Sequence, residues 1–219
     1  MNSSQRLSDS AKQLLRKTPF YHALLKRRYV NEVKVWKQQG CVGHIPHLLK
    51  QNTLTEYAER YHLRVLVETG TFYGAMVEAM RNSFDQIYSI ELDPYLADRA
   101  RKKFKSDRHI EIRQGDSGKV LSDIVEKLDQ KALFWLDAHY SAGVTARGTI
   151  DTPILQELDI ILSSRLKGHV IIIDDARNFG TDPAYPTIQE LNLFLSSRGR
   201  SDLETAIKWD SIRITPHSS

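Results

Sequence analysis

The sequence predicts an α/β fold of the doubly wound type, with a seven-stranded, mostly parallel sheet and a helical N-terminal extension. Two observations lead to this prediction. Short apolar runs, which are typical of buried strands, alternate along the chain with segments at helical spacing. A loop with two glycines follows the first run and leads into a helix, as in folds that bring backbone amides up to a ligand. The predicted strands are Val65–Val67, Tyr88–Glu91, His109–Arg113, Ala132–Leu136, His169–Ile173, Leu203–Lys208 and Ser211–Thr215.

Length and composition indicate one domain of ordinary size with an appendage. The chain has 219 residues, of which 41% are hydrophobic and 26% are charged, as in soluble globular proteins. It contains neither a run of 18 apolar residues nor an apolar signal core, so we expect no membrane span and no export. The single cysteine, Cys41, excludes an internal disulfide and fits a cytoplasmic protein.

Charge is distributed unevenly along the chain. Residues 1–40 contain nine Lys and Arg against Asp9 and Glu32, a net charge of +7, whereas the remaining 179 residues carry −3. We therefore predict a basic helical extension and linker over residues 1–50 and a ligand-binding domain over residues 51–219. Three interpretations of the extension stay open. It packs on the domain or on the second subunit of a homodimer, it makes a peripheral contact with an anionic membrane, or it binds nucleic acid, for which the signal is weak.

The linker Gly40–Lys50 contains two histidines. Pro46 lies between His44 and His47 and argues against a helical metal pair, so both histidines are interpreted as loop residues. A short helix over Thr53–Tyr61 is expected to cover the sheet before the first strand.

The loop after the first strand has the pattern E-x-G-x-x-x-G. It differs from the G-x-G-x-x-G of dinucleotide-binding folds, which disfavours a nicotinamide dehydrogenase. Gly70 has no Cβ and lets the backbone approach a ligand closely, and the free N–H groups of the helix that begins near Gly74 favour a carboxylate. The alternative is an ordinary strand-to-helix turn. The ligand contacts predicted here are Glu68, Gly70, Thr71, Phe72 and Gly74.

Glu91 ends the second predicted strand, 21 positions after Gly70. An acidic residue at about this distance accepts hydrogen bonds from ribose hydroxyls in related folds, and we predict that role for Glu91. Asp93 and Pro94 follow as the N-cap and first residue of a helix.

The glycine loop and Glu91 resemble the corresponding motifs of the class I S-adenosylmethionine-dependent methyltransferases. The resemblance implies S-adenosylmethionine as the cofactor, places the glycine loop under its amino-acid part, and identifies residues 51–219 with the methyltransferase domain. It also implies that Asp116 and Ser117, which follow the third strand, lie on the adenine side. Ser117 is equally a candidate N-cap for a helix over Val120–Leu128.

Three more acids end predicted strands: Asp137 after the fourth, and Asp174 and Asp175 after the fifth. Because carboxyl ends of parallel strands share one rim, these acids would repel one another unless they are protonated or bridged by a cation. A hard divalent ion such as Mg²⁺ suits three carboxylates. The arrangement is similar to that of metal-dependent O-methyltransferases, particularly the macrocin O-methyltransferase type. This resemblance implies all three Asp as metal ligands, with Asp137 also a catalytic and cofactor-binding candidate.

The general base is less clearly indicated. Catechol-type enzymes have a lysine three positions after the first metal-binding Asp, where this chain has Tyr140. His139 is the candidate base because its ordinary pKa lies near neutrality, and the alternative is that it orients a carboxylate. The loop Tyr140–Asp151 is interpreted as a lid or substrate-recognition loop, and Arg177 as an ion-pair partner of the acids.

The predicted function is methyl transfer to a hydroxyl of a small-molecule acceptor, with a sugar-like diol suiting a metal site. One alternative is a metal-dependent hydroxylase or oxidase on the same fold, with a 2-His-1-carboxylate set drawn from His44, His47 and His139. Another is a non-catalytic cofactor-binding protein. The carboxylates at successive strand ends argue against the latter.

Overall fold

The computed structural model describes residues 19–41, 43–137 and 153–217. The chain divides into two compact units, Met1–Lys50 and Gln51–Ser219. Helix α1 (Pro19–Gln38) lies in the first unit, and helix α2 (His47–Tyr61) begins at its end. Within the described residues, no helix combines the length and apolar character needed to cross a bilayer.

Seven strands of the second unit form one sheet, in the order β3-β2-β1-β4-β5-β7-β6. The first five strands pair in parallel, and β7 is antiparallel to both β5 and β6. This confirms the predicted doubly wound, seven-stranded, mostly parallel sheet. The strands are β1 (Val65–Thr69), β2 (Gln86–Glu91), β3 (Ile110–Gln114), β4 (Ala132–Leu136), β5 (Val170–Ile173), β6 (Leu203–Lys208) and β7 (Ser211–Pro216).

Helices cover both faces of the sheet because successive strand residues point to opposite faces. Val65 and Val67 of β1 belong to one hydrophobic core, whereas Leu66 between them belongs to the other. The first core is built with α5, α6 and α7, and the second with α2, α3 and α4. The remaining helices are α3 (Ala75–Met80), α4 (Pro94–Lys103), α5 (Ser117–Lys127), α6 (Pro153–Leu162) and α7 (Ile188–Ser197), with a 3₁₀ turn at Ala176–Asn178.

Two predicted helix starts require correction. His47 is the first residue of α2 and not a loop residue, because proline just before a helix costs nothing there, and the Pro46 carbonyl accepts the Leu49 N–H at 2.8 Å. The N-cap of α5 is Asp116, whose carboxylate accepts the Gly118 N–H at 3.0 Å, so Ser117 is already helical. Asp93 caps α4 as predicted.

Candidate active site

The carboxyl ends of β2, β1, β4 and β5 form one rim of the sheet, and the strand register aligns them in a row. Main-chain hydrogen bonds continue the row beyond the strands. The Gly70 N–H donates to the Ile90 carbonyl at 2.9 Å, and the Asp174 N–H donates to the Leu136 carbonyl at 2.9 Å. The row therefore brings together residues that the sequence predicted for one rim: Gly70, Glu91, Asp137 and Asp174.

The glycine loop turns sharply because its backbone enters the left-handed region at Gly70 (φ +91°), Phe72 (φ 49°) and Gly74 (φ +65°). A Cβ added at Gly70 would lie 3.2 Å from the main-chain oxygen of Asp137. One added at Gly74 would lie 2.8 Å from the ring of Phe104. Glycine is thus required at both positions, at Gly70 because the loop touches the end of β4.

We expect Gly70→Ala to lower the free energy of unfolding by about 1–3 kcal/mol through backbone strain. It should also weaken S-adenosylhomocysteine binding by about tenfold, because the loop must move away from Asp137. Gly199→Ala is the matched control, since Gly199 also has a positive φ (+65°) but nothing within 4 Å of an added Cβ. Thermal denaturation and calorimetric titration of both variants measure the two effects. Equal cofactor affinity in both would show that the Gly70–Asp137 contact is irrelevant to binding.

Glu91 connects the glycine loop to the start of α4. Its carboxylate accepts the Phe72 N–H at 2.6 Å and the Asp93 N–H at 3.0 Å, one on each oxygen. The side chain is buried, with 7% of the residue exposed. Each carboxylate oxygen accepts more than one hydrogen bond, so acceptor capacity remains for hydroxyl groups of a ligand.

Glu68 lies beneath the loop in a chain of hydroxyl groups. The Ser89 hydroxyl donates to Glu68 at 2.5 Å and lies 2.6 Å from the hydroxyl of Thr71. Burial raises the pKa of Glu68 to about 8, and the charges of Asp137 and Glu91 raise it further against the opposing hydrogen bond from Ser89. Glu68 is therefore protonated at neutral pH in the ligand-free protein, ready to ionise when a cation approaches.

The predicted adenine-side residues lie at the start of α5. The carboxylate of Asp116 caps the helix, and the Ser117 hydroxyl lies next to Glu157 of α6. Glu157 is 2% exposed, and burial raises its pKa to about 7, partly offset by the hydroxyls of Ser117 and Thr69. A buried neutral acid thus supports this side of the rim.

Asp137, Asp174 and Asp175 come together on the other side of the rim. Each offers an oxygen, and the three oxygens lie within 4.8 Å of one another. Asp174 and Asp175 are fully buried, at 0% and 1% exposure. In the part of the chain that the structure describes, this is the one group of three or more metal-ligand side chains, and it contains no histidine. The predicted 2-His-1-carboxylate set is therefore not found among these residues.

Arg177 and the β6–β7 hairpin close the acid cluster. Arg177 Nη1 lies 2.8 Å from Asp175 Oδ1 and also contacts the carboxylate of Asp210 at the hairpin turn. The predicted pairing of Arg177 with the acid cluster is confirmed. Tyr185 lies nearby: burial raises the pKa of its phenol, and the charges of Asp175 and Asp137 raise it further.

The cluster fits a hard divalent cation by its donor set. Three carboxylates supply only oxygen ligands, and small side-chain rotations bring oxygens within 4.8 Å to the roughly 3–4 Å spacing that they take around one octahedral ion. The single guanidinium of Arg177 cannot balance the charges of Asp137, Asp174, Asp175 and Asp210 together.

Some predicted positions cannot be placed, and some functional positions were missed. His139 and the loop Tyr140–Asp151 lie outside the described residues. The sequence reasoning did not identify Ser89, Glu157, Tyr185 or Asp210. Ser89 and Glu157 carried a signal, since each is a lone polar residue in an otherwise apolar strand or helix stretch.

Solved structures with the same architecture are S-adenosylmethionine-dependent methyltransferases. The O-methyltransferase TomG of tomaymycin synthesis from Streptomyces achromogenes, in complex with SAM, has a TM-score of 0.58 and 16% identity over 87% of this chain and 89% of its own. This is a methyltransferase fold. An O-methyltransferase from Bacillus cereus in complex with SAH has a TM-score of 0.57 and 15% identity, over 86% of this chain and 90% of its own. An SAH-bound methyltransferase from Podospora anserina has a TM-score of 0.55 and 14% identity, over 100% and 98%. Neither a family model nor a curated protein matches the chain by sequence.

Proposed function

We propose that this protein is an S-adenosylmethionine-dependent O-methyltransferase that acts on a hydroxyl of a small-molecule or sugar-like acceptor. One observation carries the proposal: the glycine loop and the three-Asp cluster abut at Gly70 and Asp137, where an added Cβ would lie 3.2 Å from the Asp137 main chain. A cofactor on the loop and an acceptor on the acids would therefore meet at one place. That solved O-methyltransferases share the fold supports the same conclusion.

The cofactor's contacts are proposed residue by residue. Glu91 would accept the ribose hydroxyls, Ser117 and Asp116 would lie beside the adenine, and Gly70 to Gly74 would line the amino-acid part. Glu68, buried beneath the loop, would pair with the cofactor's ammonium group. When bound, S-adenosylmethionine supplies a methyl group already activated by its sulfonium.

The acid cluster would orient the acceptor and make its oxygen more nucleophilic. We propose that Asp137, Asp174 and Asp175 hold a divalent cation such as Mg²⁺, which lowers the pKa of a hydroxyl that it contacts. The O–C bond then forms as the S–C bond breaks, and the hydroxyl proton passes to a base, for which His139 stays the predicted residue. Tyr185 lies where its half-exposed phenol can contact the acceptor.

Cofactor binding is expected to release about one proton at about pH 6.5, because Glu68 is protonated in the free protein and ionises when it pairs with an ammonium group. The sign is fixed by the raised pKa: the free protein holds this proton up to about pH 8, and the complex does not. Calorimetric titration with S-adenosylhomocysteine in two buffers of different ionisation enthalpy counts the proton. Glu68→Gln is the control and should bind without proton release.

The same titration tests the proposed function. Micromolar binding of S-adenosylhomocysteine supports a methyltransferase, and acceptor screening with and without Mg²⁺ then follows. The absence of heat at any ligand concentration would contradict the cofactor assignment altogether. Binding with no proton release would contradict only the role of Glu68.

The role of the basic extension stays a prediction. Helix α1 exposes Leu24, Val30 and Val35 together with Arg27 and Lys34. A surface with both apolar and cationic side chains suits a peripheral contact with an anionic membrane, and it also suits the second subunit of a homodimer.

A further inference from the structure

Arg177 occupies an unusual place between two carboxylates. The same nitrogen, Nη1, lies 2.8 Å from Asp175 Oδ1 and also contacts Asp210 Oδ2. The Arg177 backbone N–H donates to the other oxygen of Asp210 at 2.8 Å, and the Ala176 N–H donates to the Asp210 carbonyl at 2.9 Å. Asp210 thus holds the Arg177 main chain and side chain together, whereas Asp175 contacts only the guanidinium among these contacts.

The surroundings of the three groups differ. Asp175 is 1% exposed and Asp210 is 9% exposed, so neither carboxylate can be neutralised by bulk solvent. The Arg177 side chain keeps 31% of its surface exposed. Its guanidinium therefore has room to shift between the two acids, with its backbone N–H fixed by Asp210.

We propose that Arg177 is a built-in counter-ion of the acid cluster, shared between Asp175 and Asp210, which a divalent cation displaces from Asp175 onto Asp210. This inference rests on the proposed cation site. When the site is empty, the guanidinium offsets the charge of Asp175. When a cation binds, Asp210 retains the guanidinium and leaves Asp175 available as a ligand. Arg177 and Asp210 are thus positioning residues that set the cation affinity of the cluster.

The proposal predicts effects of opposite sign for the two partners. Arg177→Gln removes the competing charge and should tighten Mg²⁺ or Mn²⁺ binding by about three- to tenfold. Asp210→Asn lets Arg177 pair with Asp175 alone and should weaken binding by about the same factor. A purely structural role for the two residues would weaken binding in both variants.

The experiment is calorimetric titration of the full-length protein with MgCl₂ and MnCl₂, for the wild type, both single variants and the double variant. A general effect of net charge would be additive, whereas a shared counter-ion makes Asp210→Asn nearly silent once Arg177 is Gln. The matched controls are Arg64→Gln and Asp85→Asn. These residues form an exposed ion pair of 2.6 Å at the other end of β1, and both variants should leave the affinity unchanged.

The outcomes separate this inference from the proposed function. Opposite shifts that are not additive support the counter-ion. Parallel losses, additive shifts or unchanged affinities overturn it while leaving the cation site in place. The absence of cation binding in all four proteins overturns both the cation site and the counter-ion, and S-adenosylhomocysteine titration then shows whether the cofactor assignment survives.

Discussion

Replacement of Asp174 by Asn is expected to lower methyl transfer by about 10³-fold, the equivalent of the several kcal/mol that a bound cation contributes to such a reaction. Asp174 is fully buried, and its N–H is fixed to Leu136 of the neighbouring strand, so its carboxylate cannot be replaced by another mobile side chain. Asn keeps the shape and one oxygen but removes the charge that attracts the cation.

The same variant should retain its affinity for S-adenosylhomocysteine within about twofold, because the proposed cofactor contacts lie on β1, β2 and the start of α5 and not on β5. Asp129→Asn, an exposed acid remote from the rim, is the control for loss of charge. Activity assays with saturating Mg²⁺ and calorimetric titration supply the two readouts. If cofactor affinity falls in parallel with activity, the acid pair supports the fold and has no role in the acceptor site.

Much of this sheet could be predicted because its strands are buried on both faces. Ala132–Leu136 was predicted with its observed bounds, since a continuous apolar run between polar neighbours leaves little choice of register. The strand end at Glu68 was placed one residue early. Pairing with β2 and β4 extends β1 through Thr69, and a single sequence does not show such neighbours.

His169 shows the opposite limit. It was assigned to the fifth strand, but β5 begins at Val170, and the His169 ring instead accepts the Ala132 N–H at 3.0 Å. Burial lowers the pKa of His169 to about 4, so it stays neutral and structural. Its β-branched neighbours gave no indication of this tertiary bond.

The candidate site was predictable where it depends on strand ends and not where it depends on distant segments. Each acid of the rim follows an apolar strand, so its position could be derived from the chain itself. Asp210 reaches Arg177 only because β7 inserts beside β5, and no local pattern encodes that contact. The network that surrounds Asp175 is therefore a property of the topology.

Replacement of Glu91 by Ala is expected to weaken S-adenosylhomocysteine binding by about 100-fold, because two charge-assisted hydrogen bonds to ribose hydroxyls contribute about 1.5 kcal/mol each. The loss has a second source in the protein itself. The Phe72 and Asp93 N–H groups lose their acceptor, and Phe72 is held at a positive φ of 49° in the loop that the cofactor would cover.

Glu91→Gln separates these two sources. The amide keeps one carbonyl acceptor for the loop, so we expect near-normal thermal stability with binding weakened by about tenfold through the lost charge. Asp98→Ala removes an exposed acid of α4 that pairs with Arg101, and it should leave cofactor affinity unchanged. Calorimetric titration and thermal denaturation of all three variants provide the comparison. Wild-type affinity in Glu91→Gln would mean that Glu91 acts only as the anchor of the Phe72 and Asp93 amides and does not contact the ribose.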